Sequence, residues 1–196
     1  GEILDQTLVK KGDLGGYVQK EENLSHEGGC WIFEEAEVRD NGRVEGNARL
    51  TGRSLVRDNA VVKGYSCLAA NAYVWGNAVL DGATQMKGLV SIGGNSRTNG
   101  YVSINGNSQV RDDSVLDGNI FLNGTVVVEN AKFTGNVHLC GQYCVTFDID
   151  GNKGIAAYRT TEPIYIQSTN INIIKDGSYE YIVASTVEDI WSHNIF

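Results

Sequence analysis

The sequence predicts an all-β fold, a single-stranded parallel β-helix of hexapeptide repeats, and three observations carry that prediction. A small or β-branched residue recurs at every sixth position in a series that includes Ala36, Gly42, Ala48, Ser54, Ala60, Ala72, Ala78, Val90, Ser108 and Val126. Two residues after each sits an aliphatic side chain, as at Val38, Val44, Leu50, Val56, Leu68, Leu80, Ile92, Leu116 and Val128, with Thr98 the one polar member. Gly fills the fifth slot of most hexads, often followed by Asn.

Alternation with period two places both repeated residues on the same side of a short strand, and the Gly-Asn step supplies a corner that tolerates positive φ. Three strands and three corners then close one triangular coil of eighteen residues, a period that separates this fold from leucine-rich, ankyrin and helical repeats. Successive coils stack about 4.8 Å apart, so residues eighteen apart form columns. Asn41, Asn59, Asn77 and Asn95 make one such column, an amide ladder read here as a corner staple. Ice binding would require an outward ladder of Thr pairs, which the hexads lack.

The elements follow in order. Residues 1–29 are expected to form an N-terminal cap, residues 30–141 the β-helix, and residues 142–196 a C-terminal capping or docking segment. Caps are needed because an open β-helix exposes apolar coil edges. Lys11-Gly12-Asp13-Leu14-Gly15-Gly16-Tyr17-Val18 reads as a turn feeding a strand, since it lacks the Gly-Lys-Ser/Thr ending of a phosphate loop. Beyond Val128 the phase slips by one, with Ala131, Phe133 and Gly135 early, which a deletion at a corner explains. Short strands are expected around Ile164–Ile166 and Ile171–Ile174. Ser185-Thr186-Val187-Glu188-Asp189-Ile190-Trp191 has the polar start and helical spacing of a short capped helix.

Gly12-Asp13-Leu14-Gly15-Gly16-Tyr17, Asn23-Leu24-Ser25, and Cys30-Trp31-Ile32 opening a Gly-Asn-Ala-x-Val array together resemble a family of bacterial and bacteriophage left-handed β-helix proteins. Its members are commonly described as transferases or as phage proteins of unknown function. The resemblance covers roughly residues 10–140. It implies a left-handed coil, a phage or prophage origin and side-by-side association of rods, typically as trimers, and it supplies no catalytic residues.

Composition excludes several functions. The net charge of −8 argues against binding nucleic-acid phosphate, which needs basic surface. Acidic mimicry of DNA finds only scattered corner carboxylates, Asp40, Asp58 and Asp112. The sequence shows no apolar run long enough to cross a membrane and no signal peptide, and its four Cys form no disulfide framework. The cytoplasm of a bacterial host cell is the expected compartment.

Chemistry is sparse. Hexapeptide β-helices often serve as acyltransferases, which by fold analogy makes that the leading enzymatic alternative. The candidate bases are His138 and His26. His138 lies between inward Val137 and Leu139 and should face solvent, and a general base must reach its proton within hydrogen-bond distance. His138, Cys140 and Cys144 match no strong zinc spacing, so neither a metal nor a cofactor is expected.

Binding surfaces are the better candidates. On one flat face the outward residues Leu55, Tyr73 and Trp75 fall near Arg57, Arg39 and Arg111, aromatics beside guanidinium groups that suit a host protein or a small anionic, nucleotide-like ligand. The competing reading has the C-terminal segment covering this face. On a second face Val61, Val79 and Val115 share an outward column with Arg43 and Arg97, beside Lys63 and Asp81. Exposed Val in a column indicates contact with another copy. Tyr65 and Tyr101 bracket Ala83 at the adjoining corner and would border the cleft between copies. The leading expectation is therefore a non-enzymatic phage accessory protein, with counter-defence as its concrete form. A virion or scaffold role is a further alternative.

Overall fold

The computed structural model describes residues 9–10, 12–145, 148–150, 171–176 and 179–183. From Tyr17 to Ile149 every strand pairing is parallel, as a continuous coil requires. Through the body the register is eighteen residues: Glu37, Leu55, Tyr73, Ser91, Gln109 and Val127 are successive partners. The chain is a parallel β-helix.

Three faces result. The first is built from strands Glu37–Val38, Leu55–Val56, Tyr73–Val74, Ser91–Ile92 and Gln109–Arg111. The second contains Arg43–Gly46, Val61–Val62, Val79–Leu80 and the start of Arg97–Gly106. The third contains Trp31–Ile32, Arg49–Leu50, Cys67–Ala70, Gln85–Gly88 and the end of Arg97–Gly106. Toward the C-terminal end, Val115–Glu129 and Lys132–Val145 bend through the corners as unbroken strands.

The core is the two repeated series. Ala36, Ala48, Ala60, Ala72 and Ala78 are fully buried with Val38, Val44, Leu50, Val56, Leu68 and Leu80. Burying each larger aliphatic side chain contributes about 1.5–3 kcal/mol. Thr98, the polar exception, is also buried, and its hydroxyl lies 2.6 Å from that of Thr84. Thr84 donates its own proton to the Asp81 carbonyl at 3.0 Å, so Thr98 is the donor of the pair. The polar break in the apolar column is thereby satisfied.

Corners turn through left-handed backbone. One column of such residues is Asp40, Asp58, Gly76, Gly94, Asp112 and Asn130, and another is all glycine between Gly46 and Gly118. Gly82 shows why: its φ is +69°, and a Cβ there would lie 2.4 Å from the Gly100 carbonyl oxygen one coil on.

The anticipated deletion is present. Arg111 pairs with Glu129 at a separation of eighteen, yet Val115 pairs with Lys132 and Val128 with Val145 at seventeen. Asp112-Asp113-Ser114 on one coil thus faces only Asn130-Ala131 on the next, and the missing residue is absorbed at that corner.

Parallel pairing reaches into both flanks. Tyr17 pairs with Glu37 and Leu24 with Val44, both twenty residues apart, so the first coil carries two extra residues, with a bulge between Leu24 and Gly28. Gly16 donates to the Ile32 carbonyl at 2.7 Å. A Cβ on Gly16 would strike the Ala36 carbonyl oxygen and the Ile32 side chain, so the opening motif needs its glycine for close approach. Asn23 is fully buried at this end. Its Nδ2 donates to the carbonyls of Asp40 (3.2 Å) and Gly42 (2.7 Å), and its Oδ1 accepts from the Lys20 N–H (2.8 Å).

At the other end Ile171–Asp176 adds in parallel beside Lys132–Val145, pairing Val137 with Ile171, and then turns back antiparallel onto Tyr179–Val183. The strand expected around Ile171–Ile174 is there, joined by a partner strand that the sequence reading did not anticipate. The expected strand at 164–166 and the helix at 185–191 lie outside the described residues.

Candidate functional site

The first face places its aromatics by register. Tyr73 sits between Leu55 and Ser91 in its column, and Trp75 falls between Arg57 and Gly93 in the next. Alternation turns all of them outward, because Val56, Val74 and Ile92 occupy the core side of the same strands.

The expected cluster divides into two depressions. Toward the N-terminal end, the Arg57 guanidinium carbon lies 5.4 Å from the Tyr73 ring centroid, a cation–π contact. Arg57 and Arg39 line a cavity of about 620 Å³ with Tyr17, Val18, Gln19, Glu37 and Asp40. Toward the other end, Trp75 and Arg111 line a cavity of about 360 Å³ with Ser91, Gln109, Asp112 and Glu129. Leu55, outward in the Tyr73 column, is half-buried and lines neither depression.

Trp75 turns away from Arg57 because Gly93 leaves room for it. A Cβ on Gly93 would lie 1.9 Å from Cε2, 2.2 Å from Nε1 and 2.5 Å from Cδ2 of the indole. Those three distances are those of a point above the ring rather than beside its edge. The indole therefore lies flat across Gly93, and Gly93 is buried beneath it. The signal was legible: a glycine in an outward slot one coil below a tryptophan leaves space for the ring.

The guanidinium charges of this face are largely met within the chain. Arg111 binds Glu129 at 2.7 Å, and Arg39 and Arg57 lie 3.9 and 3.8 Å from Glu37 and Asp58. The Arg57 Nε is buried without a hydrogen-bond acceptor among the described residues.

The second face holds Val61, Val79 and Val115 in one in-register column with Arg97. All three Val are half-buried, while Arg43 and Arg97 are exposed. Arg43 pairs with Glu45 at 2.7 Å and Lys63 with Asp81 at 3.0 Å. The Asp81 carboxyl is held below its ordinary range, first by the Gly82 N–H (2.7 Å) and then by Lys63. Tyr65 and Tyr101 project from the adjoining corner, 68% and 50% exposed. Sequence reasoning missed the most exposed apolar group, Leu14 with Tyr17 and Val18 on the terminal strand, and also Leu89. For Tyr17 and Val18 the signal was position, since a strand ending a stack has one pairing partner instead of two, whereas Leu89 projects mid-rod just after the Gln85–Gly88 strand.

The two candidate bases lie far apart. His26 is exposed, with Nε2 3.3 Å from Glu21 Oε1, beside a cavity of about 610 Å³ lined also by Lys20, Asn41 and Arg43. His138 is exposed and meets the Phe121 ring edge-on with centroids 4.5 Å apart. Six coil steps, from Gly28 to Gly135 along one corner, separate their levels, roughly 29 Å at ordinary strand spacing. Cys140 and Cys144 pair in register with Asn123 and Val127, and among the described residues no three His, Cys, Asp or Glu group as metal ligands. Cys30 and Cys67 are free thiols whose pKa values burial raises. Among the described residues no helix is long and apolar enough to cross a membrane.

Ile149–Asp150 extends the stack on the second face beside Phe133 and Thr134, and Ile171–Asp176 extends it beside the third-face strand segment carrying His138. The end of Lys132–Val145 continues the first-face column, pairing Val127 with Cys144 and Val128 with Val145. No family model matches this chain, and neither a curated protein nor a solved structure shows significant similarity to it.

Proposed function

We propose that this protein is a non-enzymatic binding platform of phage or prophage origin, a left-handed β-helix that engages a host partner through its first face and associates side by side through its second. The observation that carries the reading is the fixed aromatic surface of the first face, with Tyr73 under Arg57 and Trp75 flat on Gly93. Trp, Tyr and Arg are the residues that dominate binding energy at protein interfaces. Ring orientations set by backbone and neighbouring side chains lose little entropy when a partner arrives. Because Arg111, Arg39 and Arg57 each have a carboxylate nearby, the charge balance favours a host protein over a small anion as the partner. Counter-defence in the bacterial cytoplasm is the concrete form of this role, motivated by the small size of the chain, the phage origin that the resemblance implies and the binding surface of the first face.

Native mass spectrometry of the protein purified from its bacterial host tests the reading. The expected result is an oligomer carrying a bound component that the variant Arg57→Ala/Tyr73→Ala/Trp75→Ala fails to retain. Retention of the same component by the folded triple variant overturns the site.

The alternative is an acyltransferase using His26 or His138. His26 beside Glu21, at the edge of a cavity with Lys20 and Arg43, is the observation in its favour. Turnover of an acyl-coenzyme A donor that is lost in His26→Ala would establish it.

A further inference from the structure

We infer that the groove beside Trp75 is a subsite for a neutral sugar ring, with the indole as its stacking platform. The inference rests on the first face being a binding surface and names a ligand class for one half of it.

The platform comes first. Because the indole lies above Gly93, one ring face is occupied by backbone and the opposite face is directed outward, parallel to the sheet. A flat, half-exposed π surface accepts the slightly positive C–H groups on one side of a pyranose. The ring carries its negative quadrupole on its faces, and the platform is preformed.

The rim comes second. The groove is lined by Ser91, Gln109, Arg111, Asp112 and Glu129, and its volume of about 360 Å³ falls within the range of about 300–1,000 Å³ typical of small-ligand sites. Sugar hydroxyls donate and accept at the same atom. The Gln109 amide and the Ser91 hydroxyl do likewise, and the Arg111–Glu129 pair (2.7 Å) presents donors beside acceptors with its charge already compensated.

Charge selects among ligand classes. Asp112 and Glu129 oppose an anion, since an incoming phosphate would meet two carboxylates for one guanidinium already in use. Arg111 opposes a cation, and a single indole is not the multi-ring cage that quaternary ammonium ligands use. A neutral polyol ring is what remains compatible with every lining group. The Arg39–Arg57 depression has a different lining and is not part of this subsite.

The test uses the purified protein and a panel of neutral oligosaccharides (maltohexaose, cellohexaose, laminarihexaose and chitohexaose) read by saturation-transfer-difference NMR. At least one is expected to show transfer to the C–H protons of one sugar face. Trp75→Ala should weaken that ligand about tenfold or more, taking an aromatic contact together with its buried area as worth about 1.4 kcal/mol. Gly93→Ala is the sharper variant: it keeps the indole but denies it its resting place, and it should weaken binding equally. Lys87→Ala, at an exposed position of the third face, should leave saccharide binding unchanged. Absence of transfer from the whole panel overturns the inference, as does binding that survives both Trp75→Ala and Gly93→Ala. Pyrophosphate or tetramethylammonium bound at Trp75 in place of any sugar also overturns it. A host protein captured through Trp75 by a protein that binds no saccharide would leave the platform reading standing and remove only the sugar.

Discussion

Asn23 shows how much one buried side chain can settle. It closes the N-terminal coil with both amide protons on carbonyls and its oxygen on a backbone N–H. Asn23→Asp exchanges the double donor for an oxygen facing the Asp40 and Gly42 carbonyls, a buried mismatch worth about 3 kcal/mol. The urea midpoint should fall accordingly and fall further than for Asn23→Ala. An unchanged midpoint for Asn23→Asp would show that the contacts do not support the cap. At this scale the sequence revealed which residues face outward and much less about what they touch. Thr98 stood out as polar in an apolar column, but its partner Thr84 lies across the interior at a separation of fourteen residues, which the eighteen-residue columns do not reveal. Arg57 and Trp75 were expected to cluster as column neighbours. Rotamers parted them, because Arg57 settled on Tyr73 and Trp75 on the space at Gly93.

Strands and corners were more legible, because each repeats and errors in one coil are corrected by its neighbours. The period-six pattern located the strands, and the early Ala131 and Phe133 located the shortened corner. The C-terminal hairpin was only half legible. Ile171–Asp176 alternates as a strand should, while Tyr179–Val183 is a short segment outside any hexad frame. Corner energetics give a test of the stacking. Gly82→Ala imposes both left-handed backbone, about 1–2 kcal/mol, and the 2.4 Å approach to Gly100. A total loss of about 2–4 kcal/mol is expected in urea unfolding. Ala70 adopts φ +59° in another corner column, so Ala70→Gly should not destabilise. Equal loss for both variants would mean that corner backbone does not limit stability.

At the scale of the whole molecule, the second face bears on assembly. Val79 lies between Val61 and Arg97 in the column, half-buried in the single chain. On the proposed side-by-side association, Val79→Arg places a third guanidinium among Arg43, Arg97 and Lys63 and should yield a folded monomer in sedimentation velocity where the unmodified protein sediments as an oligomer. An oligomer that persists assembles through another surface, with the exposed Tyr65 and Tyr101 corner or the Leu14 and Tyr17 end as the places to look.

The corner amides bind the coils along the rod with a direction. Lys20 Nζ donates to Asn41 (3.0 Å), Asn41 to Asn59 (3.1 Å), Asn59 to Asn77 (3.0 Å), Asn77 to Asn95 (2.9 Å), and Asn95 to the Asp113 carboxylate (2.8 Å). An ammonium can only donate and a carboxylate only accept, so the two ends fix the sense of every amide between them, and each bond polarises the next. Such a chain imposes a grammar on the gene. Copying eighteen residues between Asn41 and Asn95 inserts another identical link and lengthens the rod, whereas losing either terminus leaves the end amide to water and its sense unfixed. Growth from within, with both ends kept, is the route by which a ladder of this kind changes length.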